Sequence, residues 1–196
     1  MYVTISYFFY HMHAPTYIIC ALQVEFFDGK DITKVDAGLQ YSCFLDKTGK
    51  ELYTCGRGDY GQLGNTLEKP DEGHFQTLPS RVPLVYDIQG TRQNVANPKE
   101  NSIILDNIVE EDQPEIEQIS AGDTHVLVLT KGGDAYSWGF GAMGACGQGK
   151  DEDDVLRPKK LEAKMMKSQG ASTYKFQYVS GGGQHSTALV TSQSLS

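Results

Sequence analysis

The sequence predicts an all-β fold assembled from repeats, and three observations carry that prediction. The first is that the chain resembles itself. Val35-Asp36-Ala37-Gly38-Leu39-Gln40-Tyr41-Ser42-Cys43-Phe44-Leu45 reads in the same order as Ile119-Ser120-Ala121-Gly122-Asp123-Thr124-His125-Val126-Leu127-Val128-Leu129 and as Val179-Ser180-Gly181-Gly182-Gly183-Gln184-His185-Ser186-Thr187-Ala188-Leu189. Each segment ends a strand, turns at a glycine, places a ring two loop residues later and opens another strand. The second observation is glycine content: 21 of 196 residues, well above the usual ~7%, which asks for many tight turns. The third is that neither repeat sustains the 3.6-residue apolar period of an amphipathic helix.

The aligned glycines 38, 122 and 182 are 84 and 60 residues apart. A unit of 60 residues explains the second step; the first carries extra chain. Residues 1–22, apolar and aromatic in patches, are expected to be an ill-defined start or the end of a preceding unit. They lack a basic n-region, and His11, His13 and Pro15 interrupt them, so a cleaved signal peptide is a poor reading. Residues 23–66 form the first repeat, 118–178 the second, and 179–196 the opening strand of a third. Within the repeats, the runs 43–45 and 126–129 are apolar enough to be buried on both faces. Lys47-Thr48-Gly49-Lys50 and Lys131-Gly132-Gly133-Asp134 sit where hairpin turns are needed. Trp138 aligns with Cys55 and is expected in a strand, buried between neighbouring units. Leu161–Lys167 is expected to give a short helical turn. Residues 67–117 read as an insertion, with Pro70, Pro79, Pro83 and Pro98 and then Asp106, Glu110, Glu111, Asp112, Glu115 and Glu117. It is either a solvated surface loop or an acidic docking strip for a basic partner.

Composition excludes several function classes. With 17 basic against 25 acidic residues the net charge is −8, which disfavours binding of free DNA or of an anionic membrane by the chain as a whole. No apolar stretch approaches the ~20 residues of a membrane-spanning helix. Cys20, Cys43, Cys55 and Cys146 have no CxxC or zinc-finger spacing and read as thiols in a reducing compartment. No Ser/His/Asp or Cys/His arrangement has a recognisable catalytic spacing. Gly56-Arg57-Gly58-Asp59-Tyr60-Gly61 and Gly139-Phe140-Gly141-Ala142-Met143-Gly144 each spell GxGxxG, but no amphipathic helix follows to receive a pyrophosphate, so both read as structural turns. Arg57-Gly58-Asp59 reads as a chance match to an adhesion tripeptide.

The ring positions Tyr41, His125 and His185 admit two readings. The ring closes its loop by hydrogen bonding, or loops from successive repeats present it to a partner. Gln40, Asp123, Thr124 and Gln184 flank these rings and share the second reading.

Gly56-Arg57-Gly58-Asp59-Tyr60-Gly61-Gln62-Leu63-Gly64, Tyr136-Ser137-Trp138-Gly139-Phe140-Gly141 and Gly182-Gly183-Gln184-His185 resemble the repeats of the regulator of chromosome condensation family. The resemblance spans about residues 23–192. It implies a seven-bladed β-propeller, of which this chain would hold about two to two and a half blades. It further implies a guanine-nucleotide exchange factor for the small GTPase Ran, histones or the nucleosome as a further partner, the nucleus with the cytoplasm as its location, no cofactor and no covalent chemistry. The family's wedge into the nucleotide site belongs to an earlier repeat, so the segment alone is expected to be inactive. The resemblance points to Gln40, Tyr41, Asp123, Thr124, His125, Gln184 and His185 as partner-binding, with Tyr41 standing where the family would lead one to expect histidine. The alternative function is a non-catalytic propeller module for protein interaction or scaffolding.

Overall fold

The computed structural model describes residues 4–7, 20–23, 25–66, 68–85, 113–149, 153–164 and 173–193. Among the described residues twelve strands run in chain order: β1 (Thr4–Tyr7), β2 (Cys20–Gln23), β3 (Ile32–Ala37), β4 (Tyr41–Asp46), β5 (Leu52–Arg57), β6 (Phe75–Arg81), β7 (Ile116–Ala121), β8 (His125–Thr130), β9 (Ala135–Gly139), β10 (Val155–Lys160), β11 (Thr173–Gly181) and β12 (Ser186–Gln193). They make two four-stranded antiparallel meanders, β3-β4-β5-β6 and β7-β8-β9-β10, and two two-stranded sheets, β1-β2 and β11-β12. Each meander is one blade of a propeller, and β11-β12 is the first half of another. The fold is an incomplete β-propeller, as the sequence predicts.

The central strands form where the sequence is most apolar. β4 and β8 are the second strands of their blades and are packed on both faces, β8 between the first blade and the half-blade and β4 between the second blade and Phe27, so Cys43, Phe44 and Leu45 are buried, as are Val126, Leu127, Val128 and Leu129. Both hairpins turn where expected, with Gly49 at φ +75° and Gly133 at φ +84°. In the first hairpin Asp46 organises the turn. Its carboxylate accepts from the backbone N–H of Thr48, Lys50 and Glu51 at 3.0, 3.0 and 2.9 Å and from the Thr48 hydroxyl at 2.5 Å. Burial alone would raise its pKa, but these donors hold the carboxyl below its ordinary value.

Side chains alternate between the two faces of each sheet, giving three packed layers. Phe27, Ile32, Phe44, Tyr53 and Cys55 lie on one side of the first blade. Cys43, Leu45, Leu52 and Leu63 of that blade meet Ile116, Ile119, Val126, Val128 and Trp138 of the second. Leu127, Leu129 and Ala135 meet Phe176 and Val179 of the half-blade. Cys43 and Cys146 are free thiols; burial pushes the Cys43 thiol well up, and Cys146 up to about 12.

The structure moves three sequence boundaries. The first repeat does not stop at residue 66: β6 lies inside the segment assigned to the insertion, and β7 begins at Ile116. The third unit begins at Thr173, within the segment assigned to the second repeat, and contributes two strands rather than one. Val82 and Leu84, also assigned to the insertion, are buried between the blades. Residues 86–112, on which most of the loop or docking-strip expectation falls, lie outside the described residues, as do residues 165–167 of the expected helical turn.

Candidate functional site

Each ring position folds back over the glycine three residues before it. A Cβ on Gly38 would lie 2.0 Å from the Tyr41 ring, one on Gly122 2.4 Å from the His125 ring, and one on Gly182 2.6 Å from the His185 ring. The Gly-x-x-ring pattern is therefore a steric requirement: only glycine leaves room for the ring that closes the loop.

The first two rings reach across to the following blade. The Tyr41 hydroxyl lies 2.8 Å from the Gly122 carbonyl and 2.7 Å from the His125 carbonyl, its single proton shared between two acceptors. Burial pushes that hydroxyl's pKa well up, keeping it a donor. His125 Nε2 lies 2.9 Å from Ser186 Oγ, and Ser186 donates its own proton to the Ala145 carbonyl at 2.6 Å. Ser186 Oγ is thus left to accept, which assigns the His125 proton to Nε2. His125 Nδ1 is buried with no hydrogen-bond partner, consistent with a neutral ring.

Burial lowers the His125 pKa, the charge of Asp123 raises it and that of His185 lowers it further; the net direction is down from 6.5. The sign of the pH dependence follows. Above about pH 6.5 the ring is neutral in both folded and unfolded chains and contributes no pH dependence. As pH falls below 6.5 the unfolded chain takes up a proton that the folded chain refuses, so stability falls until the lower folded pKa is passed. Urea unfolding between pH 5 and 8 should therefore show a steeper acid loss in the natural chain than in His125→Gln. Parallel pH profiles would contradict a buried neutral histidine.

The loops carrying the rings are tied in series. Leu39 N–H donates to the Asp123 carbonyl at 3.1 Å, and Asp123 N–H donates to the Gly182 carbonyl at 3.1 Å. Three equivalent loops thus lie side by side on one face. Their side chains divide sharply. Tyr41 and His125 are buried and hold blade to blade, so their rings offer a partner no surface. Gln40, Asp123, Gln184 and His185 are exposed and Thr124 is half-buried. Arg57 orders the edge of this face: its Nη1 donates to Gln40 Oε1 at 2.8 Å, and its Nε and Nη2 grip Asp59 at 2.7–2.9 Å. Burial alone would raise the Asp59 pKa, but the guanidinium holds it down. Arg57 and Asp59 are therefore spent on one another, which disposes of the adhesion tripeptide. Neither GxGxxG segment leads into a helix; residues 142–144 form only a three-residue 3-10 turn. Among the described residues no three His, Cys, Asp or Glu side chains cluster as metal ligands, and no helix is long and apolar enough to cross a membrane.

Sequence reasoning missed Leu39, which is exposed between Gly38 and Gln40. Its signal was available: an apolar residue at the loop position that holds Asp123 and Gly183 in the other copies.

Models of the regulator of chromosome condensation (RCC1) repeat match residues 32–62, 51–129 and 132–189. The chain belongs to the RCC1 repeat family. It is 30% identical over 151 residues to human Protein RCC2, covering 74% of this chain and 26% of that protein. It is 30% identical over 135 residues to the Guanine nucleotide exchange factor SRM1 of Saccharomyces cerevisiae, covering 69% and 24%. The crystal structure of Prp20p from Saccharomyces cerevisiae superposes with a TM-score of 0.62 at 24% identity, covering 91% of this chain and 35% of Prp20p; at that identity it speaks for the fold. The chain spans about a quarter of the length of these curated relatives.

Proposed function

We propose that this chain is part of a propeller that serves as a guanine-nucleotide exchange factor for the small GTPase Ran in the nucleus, with histones as a further partner. The observation that carries the reading is the row of three tied loops exposing Leu39, Gln40, Asp123, Gln184 and His185 on one face. Exchange breaks no covalent bond; it needs a surface that binds the nucleotide-free GTPase better than the loaded form, and so favours nucleotide release. Support comes from relatives: one bears the name of an exchange factor, and Prp20p was characterised for binding to Gsp1p and to histones. An excess of acidic charge suits basic partner surfaces and their steering.

The test is binding of this chain to nucleotide-free and to GDP-loaded Ran by calorimetry. Tighter binding to the nucleotide-free form is expected. Asp123→Lys and His185→Ala should each weaken it about tenfold, or ~1.4 kcal/mol, while changing unfolding stability by less than ~1 kcal/mol, because both side chains are exposed. Equal affinity for the two nucleotide states would favour the alternative, a non-catalytic interaction module. Tyr41, a buried tie where the other repeats carry histidine, is the feature that speaks for it.

A further inference from the structure

The first loop of the row presents different chemistry from its two copies. Leu39 stands where they carry Asp123 and Gly183, and Gln40 stands where they carry Thr124 and Gln184. Leu39 is 66% exposed, and Gln40 is exposed beside it. The position itself points away from the sheets. Asp123, its equivalent, has a tied loop on either side, bonded through the Leu39 N–H and the Gly182 carbonyl, and is still exposed. A neighbouring loop on this face therefore does not cover it.

The backbone under both side chains is fixed. Gly38 N–H donates to the Tyr41 carbonyl at 3.0 Å, Leu39 N–H to the Asp123 carbonyl at 3.1 Å and Arg57 N–H to the Gln40 carbonyl at 2.8 Å. Beneath them Tyr41 is anchored to the Gly122 and His125 carbonyls. The Gln40 side chain is oriented as well, because Arg57 Nη1 donates to its Oε1 at 2.8 Å. A guanidinium carries only donors, so it takes the amide oxygen and leaves the Nε2 end, a donor, as the group Gln40 can offer. Arg57 is itself held by Asp59. The loop thus presents an apolar group and an N–H donor side by side, both ordered before any partner arrives, which lowers the entropy lost on binding.

We propose that Leu39 and the Gln40 amide are specificity determinants of the partner-binding face: Leu39 enters an apolar recess on the GTPase, and Gln40 Nε2 donates to a carbonyl or carboxylate oxygen at the rim of that recess. This deepens the exchange reading and rests on it. Burying the leucine supplies affinity. The donor beside it rejects a surface that offers a second donor there, since both would be buried unpaired. Asp123 on the adjoining loop adds a different contribution, a charge that attracts a basic group and is screened by salt. Leu39 and Gln40 are neutral, so their contribution is separable from that of Asp123 by its indifference to salt.

Calorimetry with nucleotide-free and GDP-loaded Ran, at low and at high salt, reads these contributions. Leu39→Ala should weaken binding of the nucleotide-free form about tenfold, with a less negative heat-capacity change and the salt dependence of the natural chain. Leu39→Met should recover most of that loss. Leu39→Asp gives the first loop the residue that the second already carries at that place, so the loop accommodates it; binding should fall about a hundredfold, because a carboxylate would have to enter the recess. Gln40→Glu keeps an acceptor for Arg57 but replaces the donor with a second acceptor. It should weaken binding about tenfold, although it adds a charge of the sign that suits a basic partner. Urea midpoints should match that of the natural chain throughout, since both side chains are exposed. Natural affinity in Leu39→Ala and Leu39→Asp, or in Gln40→Glu, would overturn the proposal and leave the exchange reading standing. Equal binding of the two nucleotide states, with the variants weakened toward both, would overturn the exchange reading and keep this recognition element. Binding to neither state would overturn both.

Discussion

Trp138→Ala is expected to cost ~3–5 kcal/mol of unfolding free energy, the range for emptying a large aromatic site in a packed interior. Trp138 sits in β9 and is 0% exposed, between the first and second blades. Its indole N–H donates to the Gln62 carbonyl at 3.0 Å, so truncation removes both the ring and a polar tie between β9 and the first blade's 58–64 turn. The loss therefore contains a cavity contribution and an unpaired carbonyl. It should appear as a lower denaturant midpoint with little change in slope. As the single tryptophan, it reports its own surroundings: emission from the folded chain should be blue-shifted and resistant to acrylamide. Red-shifted, readily quenched emission from a chain with intact β-sheet dichroism would refute the burial, and with it the alignment of the two repeats.

What was legible in the sequence was what repeats. The Gly-x-x-ring pattern, the doubly buried second strands and the aromatic third strand all recur at fixed spacing because each solves the same steric problem in each blade. The fourth strands were less legible for a physical reason. β6 and β10 are sheet edges, each with a register irregularity against its neighbour and each containing a proline, Pro79 or Pro158. An edge strand can accept proline and need not alternate cleanly. Without a period-2 pattern, β6 was indistinguishable from the loop after it, and the first repeat was cut short at residue 66.

The functional rings show a different limit. Tyr41, His125 and His185 hold the same place in the repeat, yet the first two are buried ties and the third is exposed. Residue type does not decide that; the following blade does. Tyr41 and His125 each have a neighbour whose backbone or serine receives them, whereas the described residues supply none beyond β12 for His185. Of the residues expected to meet a partner, the accessible ones are therefore those beside the rings, together with the last ring itself.

Gly64→Ala is the second substitution expected to be severe, and its interest lies in its coupling to Trp138. Gly64 has φ +69°, a left-handed conformation that costs a non-glycine residue ~1–2 kcal/mol. Its added Cβ would also lie 2.5 Å from Trp138 Nε1 and 2.9 Å from Cδ1 and Cε2. The indole has little freedom to yield, being enclosed on all sides and fixed by its bond to Gln62. Overpacking of a filled interior costs ~1–3 kcal/mol, so the two contributions together should reach ~2–5 kcal/mol. The backbone cost survives whatever occupies the site, whereas the clash needs the indole. In Gly64→Ala/Trp138→Ala the methyl enters the cavity left by the ring, and the double variant should be more stable than the sum of the single losses by ~1–3 kcal/mol, the size of the clash relieved. Losses that simply add would mean that Gly64 and Trp138 do not touch, and that the first blade's 58–64 turn does not seat the aromatic strand of the second.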